Sequence, residues 1–169
     1  MTVNFHSFVD MYSRVLEVAA HILAKGDEFA KARGVTDAQL LDWRLVDDMN
    51  PLSFQLTLVC DFSRQWLARA AGIEVPAGVS GCNTVADFQR EIAAASAYVK
   101  ALTPAQFAGR DDAPLTVTIG NGMSPTLPAS QWITGFATRN MYFHLSMAYA
   151  ILRGRGVQIG KLDLFPSGL

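Results

Sequence analysis

The sequence predicts an all-α protein, a four-helix bundle carrying a small β-hairpin and short accessory helices. Three observations point there. Apolar residues recur at spacings of three and four over four long stretches. Those stretches are separated by capping signals, glycine stops and proline-rich loops. The apolar period shortens to two only between Asp111 and Ser130. With 169 residues, half of them hydrophobic, one domain spanning 1–169 and built on a real core is expected.

The first helix is marked by Phe5, Phe8, Tyr12, Leu16, Ala19 and Leu23 on one stripe. His6 lies at the flank of that stripe and His21 almost opposite it. Glu17, His21 and Lys25 are spaced i, i+4 and read as a solvated ladder on the outer face. Thr36 and Gln39 form a capping box for a short helix to about Trp43. An acidic loop containing Asp48 leads to Pro51, which suits the first turn of the next helix. That helix, about 51 to 71, is apolar over most of its circumference, as expected in the middle of a bundle or against a partner. Gln55 falls inside its apolar arc. Asp61 falls at the polar edge, able to turn toward a pocket or to pair with Arg64 or Gln65.

Gly72 stops this helix and a Gly/Pro-rich loop follows. Thr84, with Asp87 three residues later, caps a third long helix whose apolar stripe runs Val85, Phe88, Ile92, Ala95, Val99, Leu102. Thr103 to Gln106 begins another short turn, closed by Gly109. Leu115 to Ile119 alternates, Gly120-Asn121-Gly122 is a hairpin turn signal, and Met123 to Leu127 returns as a second strand. Pro125 and Pro128 restrict that strand to an edge. A lone hairpin is marginal, so it is expected to lean on the bundle or on a partner.

The last helix begins between Ser130 and Asn140 and ends at Gly154-Arg155-Gly156. At about 100° per residue, Asn140, His144, Met147 and Ile151 share one stripe, with Arg139, Ser146 and Arg153 on the wet side. His144 therefore points inward, one turn after Asn140. Buried polar groups need partners, and a pocket holding such a pair is a candidate site. Val157 to Phe165 reads as an extended tail lying back on the bundle, with Lys161 a surface charge or a cover for the pocket mouth.

Composition excludes several functions. Net charge is −1 with the signs interspersed, and no basic run or aromatic-basic patch suggests nucleic acid. No run of about 18 apolar residues exists, so no membrane span is expected. The N-terminus has neither a positive leader nor an apolar h-region. Cys60 and Cys82 are far apart without a CxxC spacing, giving neither a disulfide framework nor a zinc motif, and a cytoplasmic location is expected. Only 17% of residues are charged, which favours a homodimer. Cys60 sits mid-helix with no basic neighbour to activate it, so no nucleophile motif supports hydrolysis.

Two groups of residues carry a family resemblance. The first is Asp48-Met49-x-Pro51-Leu52, Gln55, Cys60-Asp61-Phe62 and Arg69-x-x-Gly72. The second is Asn140-x-Tyr142-Phe143-His144, Ala148-Tyr149 and Arg153-x-x-Gly156-Val157-x-Ile159-Gly160-Lys161-x-Asp163. Together they resemble an uncharacterised bacterial domain of unknown function within the DinB/YfiT-like superfamily of metalloenzymes, over nearly the whole chain. The resemblance implies an up-down-down-up bundle, often homodimeric. It also implies a divalent metal held by one histidine of the second helix and an HxxxH pair of the last, in branches that resemble thiol transferases and an isomerase.

This chain departs from that pattern. With His144 in the first place of the pair, the second is Ala148, which ligates nothing. The second long helix has no histidine, leaving Asp61 or Gln55 to stand in. His6 and His21 lie about 22 Å apart along one helix, so a three-histidine site within one subunit is excluded. A mixed site of His144, Asp61 and Asp48 stays open, as does a neutral, hydrogen-bonded His144 with a purely structural role. The expected function is a bundle with a remodelled, metal-free pocket near His144, lined by Asn140, Asp61, Gln55 and Asp48. It would bind a small molecule or serve structurally, with no cofactor. The alternative is a divalent-metal-dependent transferase acting with a low-molecular-weight thiol, with His144 and Asp61 as ligands.

Overall fold

The computed structural model describes residues 4–120 and 122–168. Four long helices build the bundle: α1 (His6–Lys31), α3 (Leu52–Ala71), α4 (Val85–Lys100) and α7 (Thr138–Gly154). The short helices α2 (Asp37–Leu41), α5 (Pro104–Phe107) and α6 (Ala129–Gln131) and the strands β1 (Pro114–Thr116) and β2 (Thr126–Pro128) fill the connections. α1 packs chiefly on α4, and α3 on α7. Their inner faces meet in one apolar cluster that includes Tyr12, Leu16, Leu56, Leu67, Ile92, Met141 and Leu152.

The topology is up-down-down-up, and the loop after α3 shows how. Gly72 ends α3 in the left-handed conformation, at φ +70°. The chain then runs back along the helix it has just left. Gln65 Nε2 donates to the Pro76 carbonyl at 3.2 Å, and the Val79 amide donates to Asp61 Oδ1 at 2.9 Å. Rising loop numbers meet falling helix numbers, so α4 starts level with the beginning of α3 and runs parallel to it. Arg64, paired with both Asp61 (3.2 Å) and Glu91 (2.7 Å), ties loop and helices together.

The capping boxes form where the sequence places them, at Thr36/Gln39 and Thr84/Asp87. Each satisfies amides that the first turn of a helix leaves without partners. Pro51 caps α3 rather than entering its first turn. The hairpin is antiparallel, with Pro114 opposite Pro128 and Thr116 opposite Thr126. Its expected turn centre, Asn121, lies outside the described residues; the flanking Gly122, at φ +80°, donates to the Ile119 carbonyl at 2.8 Å. The hairpin leans on the bundle: Trp132 Nε1 donates to the Leu115 carbonyl at 2.9 Å, and Leu115, Val117 and Ile119 pack on the core.

Three expectations need correction. The last helix opens as α6 at Ala129, before the expected range, and passes through a π-helical segment, Trp132–Ala137, before α7. The tail is not extended throughout. Val157 and Ile159 are buried, but Lys161–Leu164 forms a 3₁₀ turn whose Gly160 amide donates to Asp163 Oδ2 at 2.7 Å. The Glu17–His21–Lys25 ladder is not simply solvated, because the tail docks on it. Asp163 Oδ1 lies 2.8 Å from His21 Nε2 and 2.7 Å from Lys25 Nζ, and Ser167 Oγ donates to Glu17 at 2.8 Å. These partners hold the Asp163 carboxyl well below the usual carboxylate range, the Lys25 hydrogen bond contributing most. Among the described residues no helix is long and apolar enough to cross a membrane.

Candidate functional site

His144 lies one and a half turns into α7, on the face that meets α3. It is 8% exposed. Its Nδ1 stands 2.8 Å from Oε1 of Gln55, itself 2% exposed, in the first turn of α3. The other end of the same amide decides the direction of this bond. Gln55 Nε2 donates at 3.0 Å to the Asn50 carbonyl, which can only accept. Oε1 therefore faces the imidazole, and Nδ1 carries the hydrogen. In the neutral ring Nε2 is then the acceptor. It makes no hydrogen bond among the described residues and is not sealed from solvent.

Three rings surround the imidazole. Phe143 (centroids 5.2 Å) and Phe54 (6.0 Å) stand edge-on to it, and Phe62 (6.0 Å) is tilted. Phe62 continues into a stack with Trp66, Phe136 and Trp132, in which the two tryptophans approach to 5.2 Å. Phe54 and Phe143 remain 37% and 52% exposed, so the ring sits beneath a partly open aromatic rim. Burial pushes the pKa of His144 below the ordinary histidine value, because an apolar surround disfavours the imidazolium.

Of the expected site residues, Gln55 and His144 come together. Asn140 does not join them: its Nδ2 donates at 2.8 Å to the Phe136 carbonyl, where the π segment gives way to α7. A side chain one turn from a histidine shares its stripe, but it can equally bond its own backbone, and here it does. Asp61 faces the α3–α4 loop, where the Val79 amide and Arg64 occupy it. Gly78 packs so closely against that carboxylate that an added Cβ would meet Asp61 Oδ2 at 3.1 Å. Asp48 is exposed in the loop before α3 and makes no hydrogen bond or ion pair among the described residues. Ala148, one turn beyond His144, is fully buried.

A divalent ion needs several donors converging on one point. Among the described residues no group of three or more His, Cys, Asp and Glu side chains could hold one. His144 has one nitrogen already committed to Gln55, and Ala148 offers nothing. Cys60 also differs from the expected picture in one respect. Arg64 does lie one turn away and favours the thiolate, but complete burial outweighs it and pushes the thiol up to about 12.

The Gln55–His144 pairing was the feature the sequence left unmade. Its signal was present as two buried hydrogen-bonding groups, each on the apolar face of a long helix and each needing a partner. The stack of Trp66, Trp132 and Phe136 was also not anticipated, because the π segment alters which residues of 132–137 face inward.

The chain was compared with known proteins. Residues 5–165 match the family described as Domain of unknown function (DUF1993). Comparison with the curated proteins finds no match. Among solved structures, a DinB family member protein from Shewanella denitrificans is similar, with a TM-score of 0.84 and 28% identity over 94% of this chain and 90% of that one. The DinB-like resemblance read from the sequence is thereby borne out.

Proposed function

Since the chain belongs to the DUF1993 family and has a DinB-like fold, we propose that it is a metal-free small-molecule-binding bundle whose recognition centre is His144. The observation that carries this reading is the Gln55–His144 hydrogen bond at 2.8 Å. It fixes Nδ1 as donor, so that in the ring kept neutral by burial Nε2 is an open acceptor. A ligand would place one O–H or N–H donor on Nε2 and stack an apolar or aromatic body against Phe54 and Phe143. Such a site combines one directional polar contact with an apolar surround. The same Nε2 lone pair could take a proton from a bound hydroxyl or thiol, which would be the starting point for any catalysis.

The other expectation, metal-dependent transfer to or from a low-molecular-weight thiol, asks for three ligands. The resemblance would place them at His144, at Ala148 and, on α3, at Asp61 or Gln55, and Asp61 is held by Arg64 and the Val79 amide. An amide oxygen already bonded to the imidazole, one imidazole nitrogen and a methyl group do not make a zinc site.

We also propose that the protein is a homodimer. The exposed rings of Phe54 and Phe143 are the apolar surface a second copy would cover, closing the site over His144.

Phenol tests the binding proposal, since it pairs a single donor with an aromatic body. Titrating it into ¹⁵N-histidine-labelled protein should shift the His144 Nε2 resonance saturably, and anisole, which lacks the donor, should bind more weakly. An Nε2 resonance that never saturates, or anisole binding as tightly as phenol, would remove His144 as the recognition centre.

A further inference from the structure

On the opposite side of α7, beneath the C-terminal segment, lies a cavity of about 400 Å³. It takes no part in the site just described. α1 supplies Val15 and Val18, α7 supplies Leu145 and Tyr149, and Leu164 and Phe165 cover it. The cover is fastened at two points, by Asp163 to His21 and Lys25 and by Ser167 to Glu17. A volume of this size falls in the ordinary range for small-molecule sites, about 300–1,000 Å³.

The polar groups at its mouth are unevenly used. Glu17 is already compensated, with Lys100 Nζ at 3.2 Å and the Ser167 hydroxyl at 2.8 Å. Arg14 is not. Its only ion pair among the described residues is with Asp10, 3.6 Å from Nε, where both side chains are more than half exposed; Glu17 acts on it only through space. A surface pair at that distance is worth little, and the terminal guanidinium nitrogens make no hydrogen bond among the described residues. The hydroxyls of Tyr142, Ser146 and Tyr149 are likewise without hydrogen-bond partners among those residues.

An apolar chamber with an uncommitted guanidinium and three uncommitted hydroxyls at its opening describes one class of ligand. We propose that this cavity binds an aliphatic monocarboxylate, its chain lying between α1, α7 and Phe165 and its carboxylate at Arg14. Arginine is suited to the head group because its planar fork matches a carboxylate with two parallel hydrogen bonds. The tyrosine and serine hydroxyls can donate to the remaining lone pairs.

Calorimetric titration of the full chain with octanoate, and with octylammonium as the cation of equal chain length, tests this. The expected result is one octanoate per chain, with octylammonium at least about tenfold weaker. Arg14→Gln should cost roughly tenfold in octanoate affinity, the scale of one lost charge-assisted contact. Ser146→Trp, which alters an exposed residue and fills the mouth, should abolish binding while urea unfolding shows the fold intact. His144→Ala should leave octanoate binding unchanged, which separates this site from the aromatic one. Equal affinity for the anion and the cation, or octanoate binding that survives Ser146→Trp, would overturn the proposal.

Discussion

Gln55 Oε1 and His144 Nδ1 meet at 2.8 Å across the α3–α7 interface, and the Asn50 carbonyl on the far side of the amide fixes which atom donates. One short relay thus joins the loop before α3, the first turn of α3 and the middle of α7. Removing either side chain alone leaves a buried polar group unsatisfied, whereas removing both does not.

This asymmetry gives the first prediction. Gln55→Leu should destabilise the protein by about 1–3 kcal/mol, the usual range for a buried donor left without its acceptor. His144→Leu should cost a similar amount through the stranded amide oxygen. The double variant should be no less stable than either single one, so that urea unfolding of all four proteins yields a clear coupling. Strictly additive losses would show that the two side chains act independently.

The depressed pKa of His144 sets a pH dependence. In the unfolded chain the ring takes up a proton near pH 6.5, while in the folded protein it stays neutral to lower pH. Between those two values the unfolded state holds more protons, so stability rises with pH there. Stability contributed by His144 is therefore full above about 6.5 and is lost as pH falls below it. His144→Gln should flatten this part of the stability–pH curve. An unchanged slope would mean that the ring is protonated in the fold.

Much of this architecture was legible in the sequence because each helix announces its own limits. Thr36/Gln39, Thr84/Asp87, Gly72 and Gly109 act through local hydrogen bonds or a left-handed backbone, and local chemistry needs no knowledge of distant neighbours. The site was harder to read for the opposite reason. Asn140 and Asp61 each had several partners in reach, and the choice was made by the π segment in one case and by the returning loop in the other. The docking of Asp163 on His21 and Lys25 joins residues more than 130 positions apart, and no periodicity in either segment encodes it.

Cys60 and Cys82 should differ in reactivity. Cys60 is fully buried with its thiol pushed up to about 12, while Cys82 is part-exposed in the loop before α4. A thiol-reactive disulfide reagent at pH 8 should modify Cys82 in the native protein and Cys60 only with unfolding. Rapid modification of Cys60 in the folded state would show that α3 opens locally.

The proposed homodimer predicts a specific weak point. Phe143→Ser removes an exposed ring that is not in the core, so the monomer should keep its fold. Sedimentation velocity should show the wild type as a dimer and Phe143→Ser shifted toward monomer. A wild-type protein that sediments as a monomer at all concentrations would contradict the dimer.

The central claim of the proposed function is that Gln55 and His144 bind each other and not a divalent metal. Elemental analysis of protein purified without a histidine tag, from medium supplemented with zinc, manganese and nickel, tests it most directly. The account predicts no stoichiometric metal, and no rise in melting temperature on adding those ions that His144→Ala removes. One equivalent of metal per chain that disappears in His144→Ala would contradict it.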